Sequence, residues 1–371
     1  MLGNLFPKLL NNGKLLVECC IVRRDLATTN HSHDSRVTTL SISPDANWLA
    51  TGSDDHTLIL WDNRNQLVLW EKPNHQAVIS CSVFSPDCER LASGAKYLFV
   101  WDIKQGILLK TLPEETEFSG RVTSCLWSPD GTRLLAGLDD RTIRIWDAHS
   151  YQQLHSLPIQ TSSLPFLLIS RADNALTLCG RYRTCQIFDL ETMSVRVEMR
   201  EHRSWVTSAA LDAQEEYLAT GSDDKTVRVW RVDTGEQVER FLDYGGPVRK
   251  VAFSPRGRQL LSVADEPTVT LWNSFNEDDR LVLRGHSEDV HTACFSPDGK
   301  YVATGSKDTT VRLWSAVDGQ CLMPFTDHRA AVRHVAFSSD GELLCSGADD
   351  GSVCVRRLGD ILPFWKDRLG A

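Results

Sequence analysis

Apolar and polar positions along this chain alternate with a period of two in short stretches, and turn residues separate the stretches. Residues 286 to 315 carry the pattern most plainly. Val290, Thr292 and Cys294 fall on one side of a stretch that reads as a strand, because successive side chains of an extended backbone point to opposite faces. Ser296, Pro297, Asp298 and Gly299 then form a turn: proline presets φ, aspartate caps its own backbone and glycine accepts a positive φ. Tyr301 to Thr304 predict a second strand, Gly305 to Thr309 a second turn, and Val311 to Trp314 a third strand. After the Asp318-Gly319 turn, Cys321 to Phe325 supply a fourth. The unit is a four-stranded antiparallel meander.

The same phrase recurs along nearly the whole chain. SISPDANWLATGSDDHTLILWD begins at Ser41, CLWSPDGTRLLAGLDDRTIRIWD at Cys125, and VAFSSDGELLCSGADDGSVCV at Val335. Trp61, Trp101, Trp146, Trp230, Trp272 and Trp314 mark its end, with Phe188 and Arg356 at the same place in two further copies. From Trp146 onward these markers are spaced by 42 residues without slippage. Copy four is the most eroded, with Ile169 to Asp173 where the turn signal belongs. A lone four-stranded sheet leaves two apolar faces bare, so each copy needs its neighbours. Radial packing covers those faces and leaves only short edges.

Through the Gly285-His286 dipeptide, the SPDG turn, the GSxD turn and the closing Trp-Asp, the sequence resembles the WD-repeat (β-transducin-like) β-propeller family over residues 31 to 357. The resemblance implies an all-β propeller of four-stranded antiparallel blades. Eight copies predict eight blades, with a seven-bladed ring and one displaced copy as the alternative. The family completes its last blade with a strand from the amino end, here within Leu15 to Thr29 of the segment 1–30. Ile361 to Lys366, in the tail 358–371, compete for that place.

The resemblance also implies a hydrogen-bonded set of His, Ser or Thr, Asp and Trp in each blade. Copy one has His33, Thr51, Asp55 and Trp61; copy five His202, Thr220, Asp224 and Trp230; copy seven His286, Thr304, Asp308 and Trp314. Copy eight has His328, Ser346 and Asp350, with Arg356 in place of the ring. Copy two keeps His75, Ser93 and Trp101 but lacks the Asp. Phe118, Gln160 and Tyr244 replace the His in copies three, four and six, so those networks are expected to be incomplete and their blades to depend on apolar packing.

Composition narrows the function. Hydrophobic residues make up 42% and charged residues 24%, ordinary for a globular chain with a large core. The net charge of -9 disfavours a direct nucleic-acid partner, which needs clustered positive charge. No stretch reaches the ~20 apolar residues of a membrane span. The apolar run from Leu15 to Val22 is broken by Glu18, lacks a basic cluster before it and is followed by Arg23, Arg24 and Asp25, so it reads as a strand and not a signal peptide. The 11 cysteines contain no CxxC pair and read as reduced core residues, as at Cys125, Cys294 and Cys345, of a cytoplasmic or nuclear protein.

Thr51, His33 and Asp55 imitate a hydrolase triad, but a set that recurs with every repeat is a structural device. His31 and His33 lack the further ligands of a metal site. Gly52, Gly94, Gly137, Gly221, Gly305 and Gly347 read as strand-end turn residues, with no phosphate-loop context. No cofactor is expected.

The informative side chains border the network at one end of the ring. Asp54, Asp139, Asp223, Asp265, Lys307 and Asp349 precede or match the structural Asp. Arg36, Arg121, Trp205, Arg249, Asp289, His291 and Arg333 lie beside the first strands. Together they predict a mixed-charge rim able to hold partner peptides, with Trp205 as an aromatic anchor. Trp61-Asp62-Asn63-Arg64 is similar to the box of WD-repeat substrate receptors for cullin-RING ubiquitin ligases, which would make Arg64 a ligase-adaptor contact. The expected function is a non-enzymatic protein-protein interaction scaffold; the alternatives are that ligase receptor and, more remotely, an enzyme framed on a propeller.

Overall fold

The computed structural model describes residues 33–361, apart from 74, 115–119, 160–165, 171–174, 180–182, 243, 258 and 274–277. Four strands, β1 (Val37–Ile42), β2 (Trp48–Ser53), β3 (Leu58–Asp62) and β4 (Leu67–Lys72), form the first blade in the order of the sequence. All pairings are antiparallel, with Thr51 opposite Leu40 and Ile59. The arrangement repeats to give eight sheets, seven of four strands and a last one with three among the described residues.

Where the SPDG signal stands, it builds the turn after the first strand. Ser296 Oγ donates to Asp298 at 2.5 Å, the Lys300 N–H donates to the same carboxylate at 3.1 Å, and Gly299 takes a φ of +68°. Ala46, Cys88 and Glu215 adopt the same left-handed conformation without a glycine's freedom, at φ values of 60°, 57° and 59°. The turn signal therefore tolerates loss of its last residue.

Packing between blades explains the recurrent glycines and corrects their reading as turn residues. Gly52 lies inside β2, opposite Leu58. A Cβ there would sit 2.5 Å from Ile79 of the next blade, and at Gly221 2.5 Å from Val248. The glycine thus makes a socket for the first apolar residue of the following blade. Gly347 of blade eight receives Val37 of blade one in the same way, with a Cβ-to-Cγ1 separation of 2.8 Å.

That contact closes the ring. Leu343, Cys345 and Val353 share one buried core with Val37, Leu49, Ile59 and Trp61, the His33 N–H donates to the Gly351 carbonyl at 3.2 Å, and Ser339 Oγ donates to the Pro44 carbonyl at 2.7 Å. The protein is an eight-bladed propeller, and no copy is displaced as the seven-bladed alternative requires.

One expectation changes. Cys179 and Cys185, in register on adjacent strands of blade four and both buried, form a disulfide; not every cysteine is a free thiol. At the carboxyl end Leu358–Ile361 is one helical turn, with Leu358 buried in the core of blades seven and eight. The proposed amino-terminal closing strand, the tail beyond Ile361, Phe118, Gln160, His31 and the turn residues 171–173 lie outside the described residues. None of the described helices is long and apolar enough to cross a membrane.

Candidate functional site

The His-Thr-Asp-Trp sets form continuous hydrogen-bond chains inside blades five and seven and, with a longer last link, in blade one. In blade five Trp230 Nε1 donates to Thr220 Oγ1 at 2.8 Å, that hydroxyl lies 2.7 Å from His202 Nε2, and His202 Nδ1 lies 3.0 Å from Asp224. Blade seven repeats it through Trp314, Thr304, His286 and Asp308 at 2.8, 2.7 and 2.8 Å. In blade one Trp61 and His33 both reach Thr51 at 2.9 Å, while Asp55 is 3.3 Å from His33. With the indole and Nδ1 donating, the threonine O–H is left to donate to Nε2, and every polar group has one role.

A fifth member of the set, which the sequence reading did not single out, stands two residues after the aspartate. Thr57, Thr226 and Thr310 each donate from Oγ1 to that carboxylate, at 2.5, 2.6 and 2.7 Å. The recurrence of a hydroxyl two places after Asp55, Asp224, Asp308 and Asp350 was its available signal. Burial alone would raise Asp308, yet the bonds from Thr310, His286 and the Ser287 amide hold it down to about 2. The histidines go the other way: burial lowers His33, His202 and His286 against the pull of their aspartates, and His75 and His328 fall to about 4, in His328 with help from the Arg356 charge.

Blade six departs from the expected incompleteness. The Tyr244 hydroxyl lies 2.5 Å from Ser262 Oγ, and Trp272 Nε1 lies 2.9 Å from both. A phenol replaces the imidazole as the hydroxyl's partner. In blade eight Arg356 Nη1 donates to Ser346 Oγ at 2.8 Å. Blades three and four carry buried Ala136 and Leu178 at the hydroxyl position, opposite Arg144 and Gln186 of the third strand, and rest on apolar contacts there.

As chemistry, these sets are poor catalysts. Thr51, Thr220 and Thr304 have no exposed surface, so no substrate carbonyl can approach the hydroxyl. Burial also pushes the Cys294 thiol up to about 11 and Cys345 up to about 12, away from nucleophilic thiolates. Among the described residues no three His, Cys, Asp or Glu side chains gather as a metal site.

The rim residues are paired through the backbone. The N–H of Asp54 donates to the Arg36 carbonyl, Asp139 to Arg121, Asp223 to Trp205 and Lys307 to Asp289, all at 2.9 to 3.0 Å. Their side chains are left outside the blade cores. Arg36 meets Asp54 at 2.9 Å and Lys307 meets Glu288 at 3.0 Å. Arg249, His291 and Arg333 lie deeper, in the first strands. Arg249 is clasped by Asp265 at 2.5 and 2.7 Å with Asp223 at 3.4 Å, and Arg333 by Asp349 at 2.7 and 2.9 Å.

These groups surround a cavity of about 760 Å³ lined by Arg36, Val37, Thr38, Arg249, Asp265, Asp289, His291, Lys307, Arg333 and His334. Seven of the rim residues picked from the sequence thus converge there, joined by His334, which directly follows Arg333 and which strict alternation would turn to the other face. Asp54, Arg121, Asp139, Trp205, Asp223 and Asp349 lie outside that lining; Trp205 is 45% exposed. Arg64 is exposed in the turn between β3 and β4, at the opposite end of the blade from Asp54, where Asn63 Nδ2 donates to the Ala46 carbonyl.

A closed ring of eight meanders around such a mouth defines a β-propeller. The family model for the WD domain, G-beta repeat, matches residues 24–62, 106–147, 193–231, 235–273, 278–315 and 319–356. This chain belongs to that family. The stretches between matches hold most of copies two and four, the one lacking the Asp and the other eroded.

Among curated proteins the chain is similar to periodic tryptophan protein 2 of Arabidopsis thaliana, 27% identical over 232 residues, 61% of this chain and 25% of that protein. It is similar to the serine-threonine kinase receptor-associated protein of Gallus gallus, 25% identical over 61% of this chain and 63% of that one. Autophagy-related protein 16 of Arabidopsis thaliana is 24% identical over 62% of this chain and 54% of its own length. The chain therefore spans less than two thirds of each of these relatives. Among solved structures it is similar to the computationally designed Ika8 protein, with a TM-score of 0.75, 25% identity, and coverage of 88% of this chain and 98% of that one.

Proposed function

We propose that this chain is a non-enzymatic interaction scaffold of the cytoplasm or nucleus that takes peptide segments of partner proteins at the mouth of its axial channel. The observation that carries the reading is the cavity itself: Arg249, Asp265, His291 and Arg333 line it although the blade cores need none of them. Membership of the WD-repeat family and the likeness to a protein named for association with a receptor kinase support it. Burial of the network hydroxyls supports the absence of catalysis.

The test is recovery of partners from cell extract on the immobilised chain. Trp205→Ala with Arg249→Ala is expected to lose the bound partners while the melting temperature stays within a few degrees, since exposed ion pairs contribute only about 0–1 kcal/mol. Undiminished recovery would move the partner site to the blade sides.

A second reading, a substrate receptor of a cullin-RING ubiquitin ligase, draws on Trp61-Asp62-Asn63-Arg64. The exposure of Arg64 at the end opposite the mouth supports it, because an adaptor bound there leaves the mouth open to a substrate.

A further inference from the structure

One position at the start of the first strand, described in seven of the eight blades, changes its chemistry around the ring, and in blades one, six, seven and eight it lines the cavity. In blades one, two, three and five it holds Thr38, Ser80, Thr123 and Thr207. Each hydroxyl lies 2.9 to 3.1 Å from the carbonyl of its own blade's glycine, and those of Thr38, Ser80 and Thr207 also lie 2.5 to 2.6 Å from a carbonyl of the next blade. In blades six, seven and eight the same position holds Arg249, His291 and Arg333. Three consecutive blades have exchanged a small neutral hydroxyl for a long nitrogen base.

The next residue along the strand changes on the same arc. It is Thr39, Cys81, Ser124, Ser208 and Thr292 in blades one, two, three, five and seven and Phe166 in blade four, but Lys250 in blade six and His334 in blade eight. Lys250 Nζ donates to Thr292 Oγ1 at 3.2 Å, and no carboxylate among the described residues lies within ion-pair distance of it. Burial lowers both Lys250 and His334, the latter to about 4 with help from the Lys250 charge. The mouth above is different, since Arg249 and Arg333 have their own aspartates. The cavity is thus balanced at its entrance, whereas Lys250, behind its lining and close enough to His334 for its charge to be felt there, has no carboxylate partner among the described residues. An ammonium taken from water without a counter-ion is costly, and a neutral threonine serves the fold in blade seven.

We propose that the cavity receives one acidic side chain of a bound peptide, whose carboxylate sits against His334, His291 and Arg333 and supplies the counter-charge that Lys250 lacks. This rests on the mouth being the partner site and names the chemistry the mouth selects. Arg333 Nη1 already donates to His291 Nε2 at 3.2 Å, so the two bases form one side of the pocket.

The test uses fluorescein-labelled, end-capped nonapeptides with a Gly-Ser frame and Glu, Gln, Lys or phosphoserine at the centre, titrated into the full chain by anisotropy. The Glu peptide is expected to bind about tenfold more tightly than the Gln peptide, the scale of one charge-assisted bond, and the Lys peptide more weakly than either. Lys250→Thr, which installs the blade-seven residue, is expected to bring the Glu peptide to the Gln level with melting temperature unchanged or raised. Equal affinity of the Glu and Gln peptides, a preference that survives Lys250→Thr, or tighter binding of the phosphoserine peptide overturns the assignment. So does absence of saturable Glu-peptide binding below about 1 mM. Equal Glu and Gln binding leaves the mouth as a partner site; only undiminished partner recovery by the Trp205 and Arg249 variant removes that.

Discussion

Arg356 donates to Ser346 at 2.8 Å, taking over the bond that an indole N–H makes in blades one, two, five, six and seven. Its guanidinium also reaches Asp327 at 2.6 and 2.9 Å and lies over the Phe325 ring at 4.9 Å. Truncation leaves Ser346 and Asp327 short of a donor and opens space beside the ring. Arg356→Ala is expected to destabilise the protein by about 2–4 kcal/mol, read by urea unfolding, and Arg356→Trp to recover more than half of that. Equal loss in both variants would show that the guanidinium's salt bridge, and not the donor to Ser346, is what matters.

Ring closure makes a separate prediction. Gly347→Ala forces a Cβ against Val37 and is expected to cost about 1–3 kcal/mol by overpacking. Combining it with Val37→Ala should return part of the loss, a coupling that a double-mutant cycle measures. Strict additivity of the two would mean that the blades part without the socket.

Acid sensitivity follows from the buried histidines. His75, His328 and His334 stand at about 4 when folded, below the ordinary 6.5. The unfolded chain therefore binds more protons between those values, so stability is full above about pH 6.5, falls as the pH drops towards 4 and levels off below. Each group contributes at most roughly 3 kcal/mol. Melting temperature measured from pH 7.5 to 4 should fall, and His75→Gln should flatten part of that slope; a slope unchanged by the substitution removes His75 from the account.

For the ligase reading, Arg64→Ala is expected to abolish co-purification of a ligase adaptor and leave mouth-bound partners in place. If no adaptor is recovered with the unaltered chain either, that reading ends.

The strands were legible because apolar alternation and SPDG-type turns are local signals that a single strand pair can satisfy. The glycines were misread because their reason lies across a blade boundary: nothing near Gly52 in sequence announces Ile79, which is 27 positions away. Tyr244 was taken as a lost histidine because matching residue types cannot reveal that a phenol reaches the same hydroxyl from the same loop. Thr57 and its counterparts were overlooked as ordinary turn residues. In the mouth, the charged positions were visible as side chains without a structural duty, whereas Lys250 and His334 directly follow Arg249 and Arg333, and strict alternation assigns them to the opposite face.

The seam between blades one and eight joins parts of the chain about 300 residues apart in order of synthesis. At ribosomal speeds of about 5–20 residues per second, the surface around Val37 and Leu49 waits roughly 15–60 s before Gly347 and Cys345 emerge to meet it. Until the eighth blade docks, that greasy flank has no partner from the carboxyl end of the chain.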